Sequence, residues 1–265
     1  MKNFILLICI INLVFSCPEI KLIDGGISGE GAFRTFWDCC KPDCSSTAYV
    51  GKGNEARQCD KLMNFIEDYS AKSKCEGGPA TTCLSQIPFT IDGCDNLGFA
   101  FASVQSPNKN LCGKCFLLEN RDFSSTLKKG HNLLTKKKTI VMVLNIDRED
   151  TNPFKFQLMV PGGGNRMLSN EFHDPDYPII HCNDVFGNKY ATINGIVGIC
   201  EKEVGGGDDD TIYTKMKECI FKKCSDLGGD AFKGCLFHSN FLEGVNIGHT
   251  NYKEIECPSE LKDLY

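Results

Sequence analysis

One aspartate in this chain is set among residues that would immobilise it, in the stretch Phe36-Trp37-Asp38-Cys39-Cys40-Lys41-Pro42-Asp43-Cys44. A disulfide requires Cβ atoms that face each other, so the neighbours Cys39 and Cys40 are poorly placed to pair together. Each then reaches a different remote segment, and Asp38 is held between two staples beside an aromatic ring. A carboxylate fixed in this way suits proton transfer, which needs a titratable group at a defined position. The same nine residues also read as a surface aspartate beside a structural cysteine cluster.

Other residues carry chemistry less distinctly. Cys112-Gly-Lys-Cys115 has zinc-ligand spacing, but in a secreted chain that spacing serves disulfides. Gly205-Gly-Gly-Asp-Asp-Asp210 offers carboxylates to calcium and reads more simply as a solvated turn. His173, in Glu171-Phe-His-Asp-Pro-Asp176, belongs to a polar loop. His131, His181 and His249 read as structural or solvated groups. No metal and no cofactor is expected.

The compartment follows from the N-terminus and the cysteines. Met1 to Ser16 reads as a signal peptide: Lys2 is the positive start, Phe4 to Phe15 is apolar apart from Asn12, and Val14-Phe15-Ser16 leads to the cleavage point. The apolar run is shorter than the roughly 20 residues that span a bilayer. No later segment approaches that length, so no membrane partner is expected. A lipid anchor on Cys17 fits less well, because Phe15 is foreign to that signal. Cleavage removes Cys9 and leaves an even number of the 17 cysteines, the mark of a secreted, extracellular protein with a dense disulfide frame. At roughly 2–4 kcal/mol each, the bridges add to the core that a chain of this length buries. A net charge of −5 argues against nucleic acid as partner. There is no Asn-x-Ser/Thr site, no internal repeat and no linker. Residues 17–265 therefore read as one domain, expected to be a monomer.

The elements that must position Asp38 are mostly strands. Leu22 to Ala32 is a glycine-rich leader into the first. Glu55 to Lys74, with Leu62, Met63, Phe65 and Ile66, has the spacing of a short helix. Leu97 to Val104 and Cys112 to Glu119 read as buried strands on either side of a Pro107-Asn108 turn. Lys136 to Lys138 is a solvated edge before the β-branched run Thr139 to Asn145, a central strand. Phe154 to Val160 follows and stops at Pro161-Gly162-Gly163-Gly164, and Cys219 to Cys235 has helical spacing. Many short strands divided by glycine turns favour a β-barrel.

Taken in order, these stretches resemble glycoside hydrolase family 45, a family of secreted endoglucanases. The aromatic-Asp-Cys-Cys-Lys-Pro-x-Cys opening stands as Trp37 to Cys44. It is followed by Ala71-Lys-Ser-Lys-Cys75-Glu-Gly-Gly, Cys83, Leu97-Gly-Phe-Ala, Cys115-Phe-Leu-Leu118 and the Pro161 to Gly164 turn. Cys182 to Gly187, Glu218-Cys219, Gly234-Cys235 and Cys257-Pro-Ser-Glu-Leu261 complete the match. It runs from Gly31 to Leu261, with one insertion near Glu171 to Ile180. The resemblance implies a mainly β fold, a six-stranded double-psi β-barrel with long disulfide-stapled loops and a few short helices. It also implies an open groove holding a β-glucan chain such as cellulose or a mixed-linkage glucan. By the same analogy the disulfides are Cys39–Cys182, Cys40–Cys75, Cys44–Cys112, Cys59–Cys83, Cys115–Cys257 and Cys219–Cys235. Cys17, Cys94, Cys200 and Cys224 are left over.

The resemblance implies a cellulase that hydrolyses internal β-1,4-glucosidic bonds with inversion. Such chemistry needs one carboxylate to activate water and a protonated one to donate to the leaving oxygen, roughly 6.5–9.5 Å apart. Asp38 matches the family's general base, and Phe36, Trp37 and Lys41 stand where substrate is bound. The acid is the Asp of a His-Phe-Asp triplet, which here reads Lys155-Phe156-Gln157. A glutamine amide does not titrate. Asp150, seven residues earlier, matches an assisting aspartate and is a substitute acid, as is its neighbour Glu149. A sugar-stacking tryptophan is replaced by Ser46, the Arg-Tyr pair before the aromatic-Asp by Thr35-Phe36, and a Trp-Arg-Phe-Asp-Trp segment by Phe237 to Phe241. Three readings stand: a divergent endoglucanase, a non-hydrolytic expansin-like glucan-binding or wall-loosening protein, and a disulfide-rich barrel that binds a protein.

Overall fold

The computed structural model describes residues 17–106, 109–121, 134–147, 155–164, 195–205 and 210–265. Their strands are β1 (Ser28–Phe36), β2 (Phe89–Thr90), β3 (Leu97–Gln105), β4 (Cys115–Asn120), β5 (Lys138–Asp147), β6 (Lys155–Met159) and β7 (Ile247–Ile255). Six of them close in the order β3–β5–β4–β7–β1–β6 and back to β3, and β2 adds a two-residue edge to β3. The pairs β1–β6 and β3–β5 are parallel, the other barrel pairs antiparallel. This is the double-psi β-barrel that the resemblance implies.

Burial explains the strand sequences. Every residue of β3 is buried, so up to Val104 the strand reads as a run of apolar and small residues rather than an alternation, with the polar Gln105 at its end. In β7 the two faces differ, and burial alternates along most of the strand. Inside the barrel the rings of Phe116, Phe156 and Tyr252 meet at centroid distances of 5.5–6.0 Å. Phe33 lies opposite Gly248, where a Cβ would come within 2.3 Å of the phenylalanine ring. Side chains alternate along each strand, so Phe33, Phe156 and Val104 point inward. Their neighbours Arg34, Phe36, Gln157, Met159, Ser103 and Gln105 point outward, yet all six are buried. Overlying chain covers that outer face of β1, β6 and β3, and it is there that Asp38 emerges.

The α-helices among the described residues are α1 (Thr47–Val50), α2 (Gly195–Val204), α3 (Asp210–Cys224), α4 (Gly229–Asn240) and α5 (Ser259–Lys262). The middle three gather a second core around Ile196, Val197, Met216 and Ile220. Here one expected disulfide is corrected: instead of Cys219–Cys235, the bridges are Cys200–Cys219 and Cys224–Cys235. Cys219 and Cys224 are five residues apart on α3, hence about 140° apart around its axis. Cys219 thus faces α2 and Cys224 faces α4. Cys17 pairs with Cys94, which accounts for all four cysteines left over by the analogy.

Three local expectations are also corrected. Glu55 to Lys74 contains no α-helix. Asp60 Oδ1 accepts from the N–H groups of Leu62 and Asn64, Met63 takes a positive φ of 65°, and Cys59 pairs as an isolated bridge with Thr81. The aspartate side chain offers these backbone groups an alternative to a helix. In the second strand, residues 112–114 belong to the turn before β4, whose Gly113 has φ 73°. Lys137 and Lys138 are not merely solvated: Lys137 Nζ donates to Phe241 O at 2.8 Å and pairs with Glu243, and Lys138 pairs with Glu119. The Pro107-Asn108 turn and the 171–180 insertion lie outside the described residues, as do residues 206–209 of the glycine–aspartate loop and residues 1–16, expected to be a signal peptide.

Candidate active site

Asp38 is placed by contacts from distant parts of the chain. At the end of β1, the Trp37 N–H donates to Gly164 O at 2.8 Å and Phe36 O accepts from the Val160 N–H at 2.7 Å. That closeness depends on the glycine turn. A Cβ on Gly163 would lie 2.7 Å from the Phe36 nitrogen, and Gly162 and Gly164 hold φ of 83° and 80°. Trp37 is buried in the barrel's core cluster. Beyond it, Asp38 Oδ1 accepts from the Cys40 N–H at 3.1 Å, which bends the backbone toward the first staple. Cys39 is fully buried and disulfide-bonded, though its expected partner Cys182 lies outside the described residues. Cys40–Cys75, Cys44–Cys112, Cys59–Cys83 and Cys115–Cys257 are all present. The adjacent cysteines thus anchor in different places, and the zinc-like pair Cys112/Cys115 is used for two separate disulfides.

Lys41 extends this frame. Its backbone N–H donates to Ser73 Oγ, and its ammonium donates to the carbonyls of Tyr69 (2.6 Å) and Ala71 (2.9 Å). Burial lowers the Lys41 pKa, while Asp68 and Glu76 act to raise it. The lysine holds residues 69–73 against the Asp38 segment. Between them opens a cavity of about 480 Å³ lined by Phe36, Asp38, Lys41, Tyr49, Tyr69 and Asn145, with Ser46 and Met159 also on its wall. The Tyr69 ring packs edge-on against Phe65 at 6.2 Å, and burial raises its pKa. Asp38 is half-buried, its carboxylate on the cavity wall. Asp38, Cys40 and Cys75 have ligand atoms within 4.8 Å of one another. The two sulfurs are joined in a disulfide, so the group offers a carboxylate and no thiolate.

Gln157 stands next to this cavity, one pleat from Met159 on the same face of β6, and is only 2% exposed. It is in register with Arg34 of β1 and with Ser103 of β3. Ser103 and Gln105 are in register with Asn145 and Asp147 of β5, so a polar row crosses the outer face of four strands. Within it, Asn145 Nδ2 donates to Ser103 Oγ at 3.4 Å, and Asn145 Oδ1 accepts from the Asp43 N–H at 2.9 Å. Asp147 Oδ2 accepts from Gln105 Nε2 at 3.1 Å and from Gln157 Nε2 at 3.4 Å.

The residues singled out in the sequence therefore divide. Asp38, Phe36 and Lys41 share one cavity. Trp37 is buried in the core and does not line it, Gln157 is buried one pleat from its Met159 wall, and Asp150 and Glu149 lie outside the described residues. Sequence reasoning missed Tyr49, Tyr69, Asn145 and Asp147. A signal existed for the last two: polar residues alternate with Ile146 at the end of an otherwise apolar strand.

A family model described as glycosyl hydrolase family 45 matches residues 30–265. Endoglucanase B of Cellvibrio japonicus (strain Ueda107) is 27% identical over 251 residues, covering 92% of this chain and 46% of that protein. This chain thus spans less than half the length of that relative. An endoglucanase of Phaedon cochleariae is 27% identical over 253 residues, with 92% and 86% covered. An endoglucanase of Cryptopygus antarcticus is 34% identical over 243 residues, with 91% and 90% covered. Among solved structures, a cellulase from the Antarctic springtail Cryptopygus antarcticus superposes with a TM-score of 0.65 at 24% identity, covering 90% of this chain and 96% of that one. This last likeness is one of fold.

Proposed function

This chain belongs to glycosyl hydrolase family 45, and on that premise we propose that it is a secreted endo-β-1,4-glucanase acting with inversion. Asp38, as carboxylate, takes a proton from water while that water attacks the anomeric carbon. A second carboxyl group protonates the departing glycosidic oxygen from the opposite face of the sugar. The observation that carries this reading is the setting of Asp38, a half-buried carboxylate fixed by Cys40 N–H and two neighbouring disulfides and open to a cavity. Phe36 borders the bound glucan, Lys41 shapes the wall around it, and buried Trp37 anchors the segment in the core. The substrate is a soluble or wall-bound β-glucan, and the protein works as an extracellular monomer released by cleavage after Ser16. No helix among the described residues is long and apolar enough to cross a membrane.

Release of reducing ends from carboxymethyl cellulose and lichenan tests the reading. Asp38→Asn keeps the shape of the side chain and removes the base, so the rate is expected to fall by about 10²–10⁴-fold, the usual contribution of a proton-transfer group. Unchanged turnover in that variant would overturn the assignment of the base. A wild-type protein that binds glucan and releases no reducing ends would return the chain to the non-hydrolytic, expansin-like reading.

A further inference from the structure

Inversion requires a second carboxyl group, and at position 157 there is an amide that is almost fully buried. The carboxylate that touches this amide is Asp147, ten residues earlier in the chain and on a different strand. We propose that Asp147 is the proton donor of this active site, a role that presupposes the glucanase reading above. Three features of the structure support it. Asp147 is half-exposed where Gln157 and Gln105 beneath it are 2% and 3% exposed, so of the three it is the side chain able to meet a ligand. It shares the outward face of β5 with Asn145, which lines the Asp38 cavity. Two residues along a strand span about 6.5–7 Å, so Asp147 stands one pleat beyond the wall of that cavity. Finally, it stands on a regular strand rather than a loop: it is in register with Gln105, and its carbonyl accepts from the Ser106 N–H at 3.0 Å.

The two glutamine amides can pair with Asp147 in either protonation state. Each amide is neutral and carries both donors and an acceptor. It donates to Asp147 as a carboxylate and, turned over, accepts from Asp147 as an acid. In the reaction, the proton on Asp147 passes to the glycosidic oxygen as its bond to the anomeric carbon breaks. Asp38 receives a proton from the attacking water as the new bond forms. Exchange with solvent then reprotonates Asp147 and deprotonates Asp38.

The test uses the full chain and two substrates that differ in their need for an acid. Cellohexaose has a sugar leaving group that must be protonated, whereas 2,4-dinitrophenyl β-cellotrioside has a phenolate that departs unaided. For Asp147→Asn, kcat on cellohexaose is expected to fall by about 10²–10⁴-fold with KM little changed. On the aryl glycoside the loss should stay below about tenfold, since the acid contribution of that size is not needed there. Should that variant not fold, Asp147→Ser is read in the same way. Equal losses on the two substrates, or wild-type rates on cellohexaose, overturn the proposal. A wild-type protein that cleaves neither substrate refutes the glucanase reading itself.

Discussion

Acid should unfold this protein partly through one histidine that does not line the Asp38 cavity. His238, near the end of α4, is 2% exposed, and no partner for its Nε2 is found among the described residues. Burial pushes its pKa down from 6.5 to about 4, against the opposing pull of hydrogen bonds with the backbone at Val245 and Gly244. The folded protein therefore keeps the ring neutral at a pH where the unfolded chain already binds a proton. The stability this contributes is complete above pH 6.5, declines as pH falls toward 4, and falls no further below that. The gap between 6.5 and about 4, at about 1.4 kcal/mol per tenfold change in proton affinity, amounts to about 3 kcal/mol. Guanidinium unfolding of the oxidised protein at pH 7 and pH 4, with and without His238→Gln, isolates it. Carboxylates such as Glu119, whose hydrogen bond with Lys138 lowers its pKa, titrate alike in both proteins and cancel in the difference. The wild type should lose about 3 kcal/mol more than the variant over that interval. Identical pH dependence in the two would refute the reasoning.

Two further outcomes follow from packing and from the loop clamp. At Gly98 an added Cβ would lie 2.6 Å from Phe241 and 2.7 Å from Phe237, whose rings stack at 4.7 Å. Gly98→Ala should cost about 1–3 kcal/mol by overpacking, read as a lowered thermal midpoint. Lys41→Met removes the ammonium that holds the carbonyls of Tyr69 and Ala71. Amide exchange across residues 69–73 should then accelerate, and KM for glucan should rise more than kcat falls.

What the sequence by itself determined is what contiguous residues can specify. The Asp38 segment was legible because its staples and its Asp38–Cys40 contact lie within a few residues of one another. The apolar runs of β3 and β5 announced buried strands, and the glycine turn at 161–164 announced a place where backbone must come close. The helical pairing was not legible. Which of Cys200, Cys219, Cys224 and Cys235 meet depends on the phase of α3 between two neighbouring helices. The helix expected at Glu55 to Lys74 failed because the Asp60 side chain bonds the backbone there, a competition that hydrophobic spacing does not register. The arrangement around Gln157 lay furthest beyond reach. Its burial, and its contact with Asp147, follow from β3 pairing with both β5 and β6 in one particular register as the barrel closes. A slip of one residue would turn Asp147 to the opposite face. Residue types state what chemistry a side chain can perform, but only the closed sheet decides which of them share a surface.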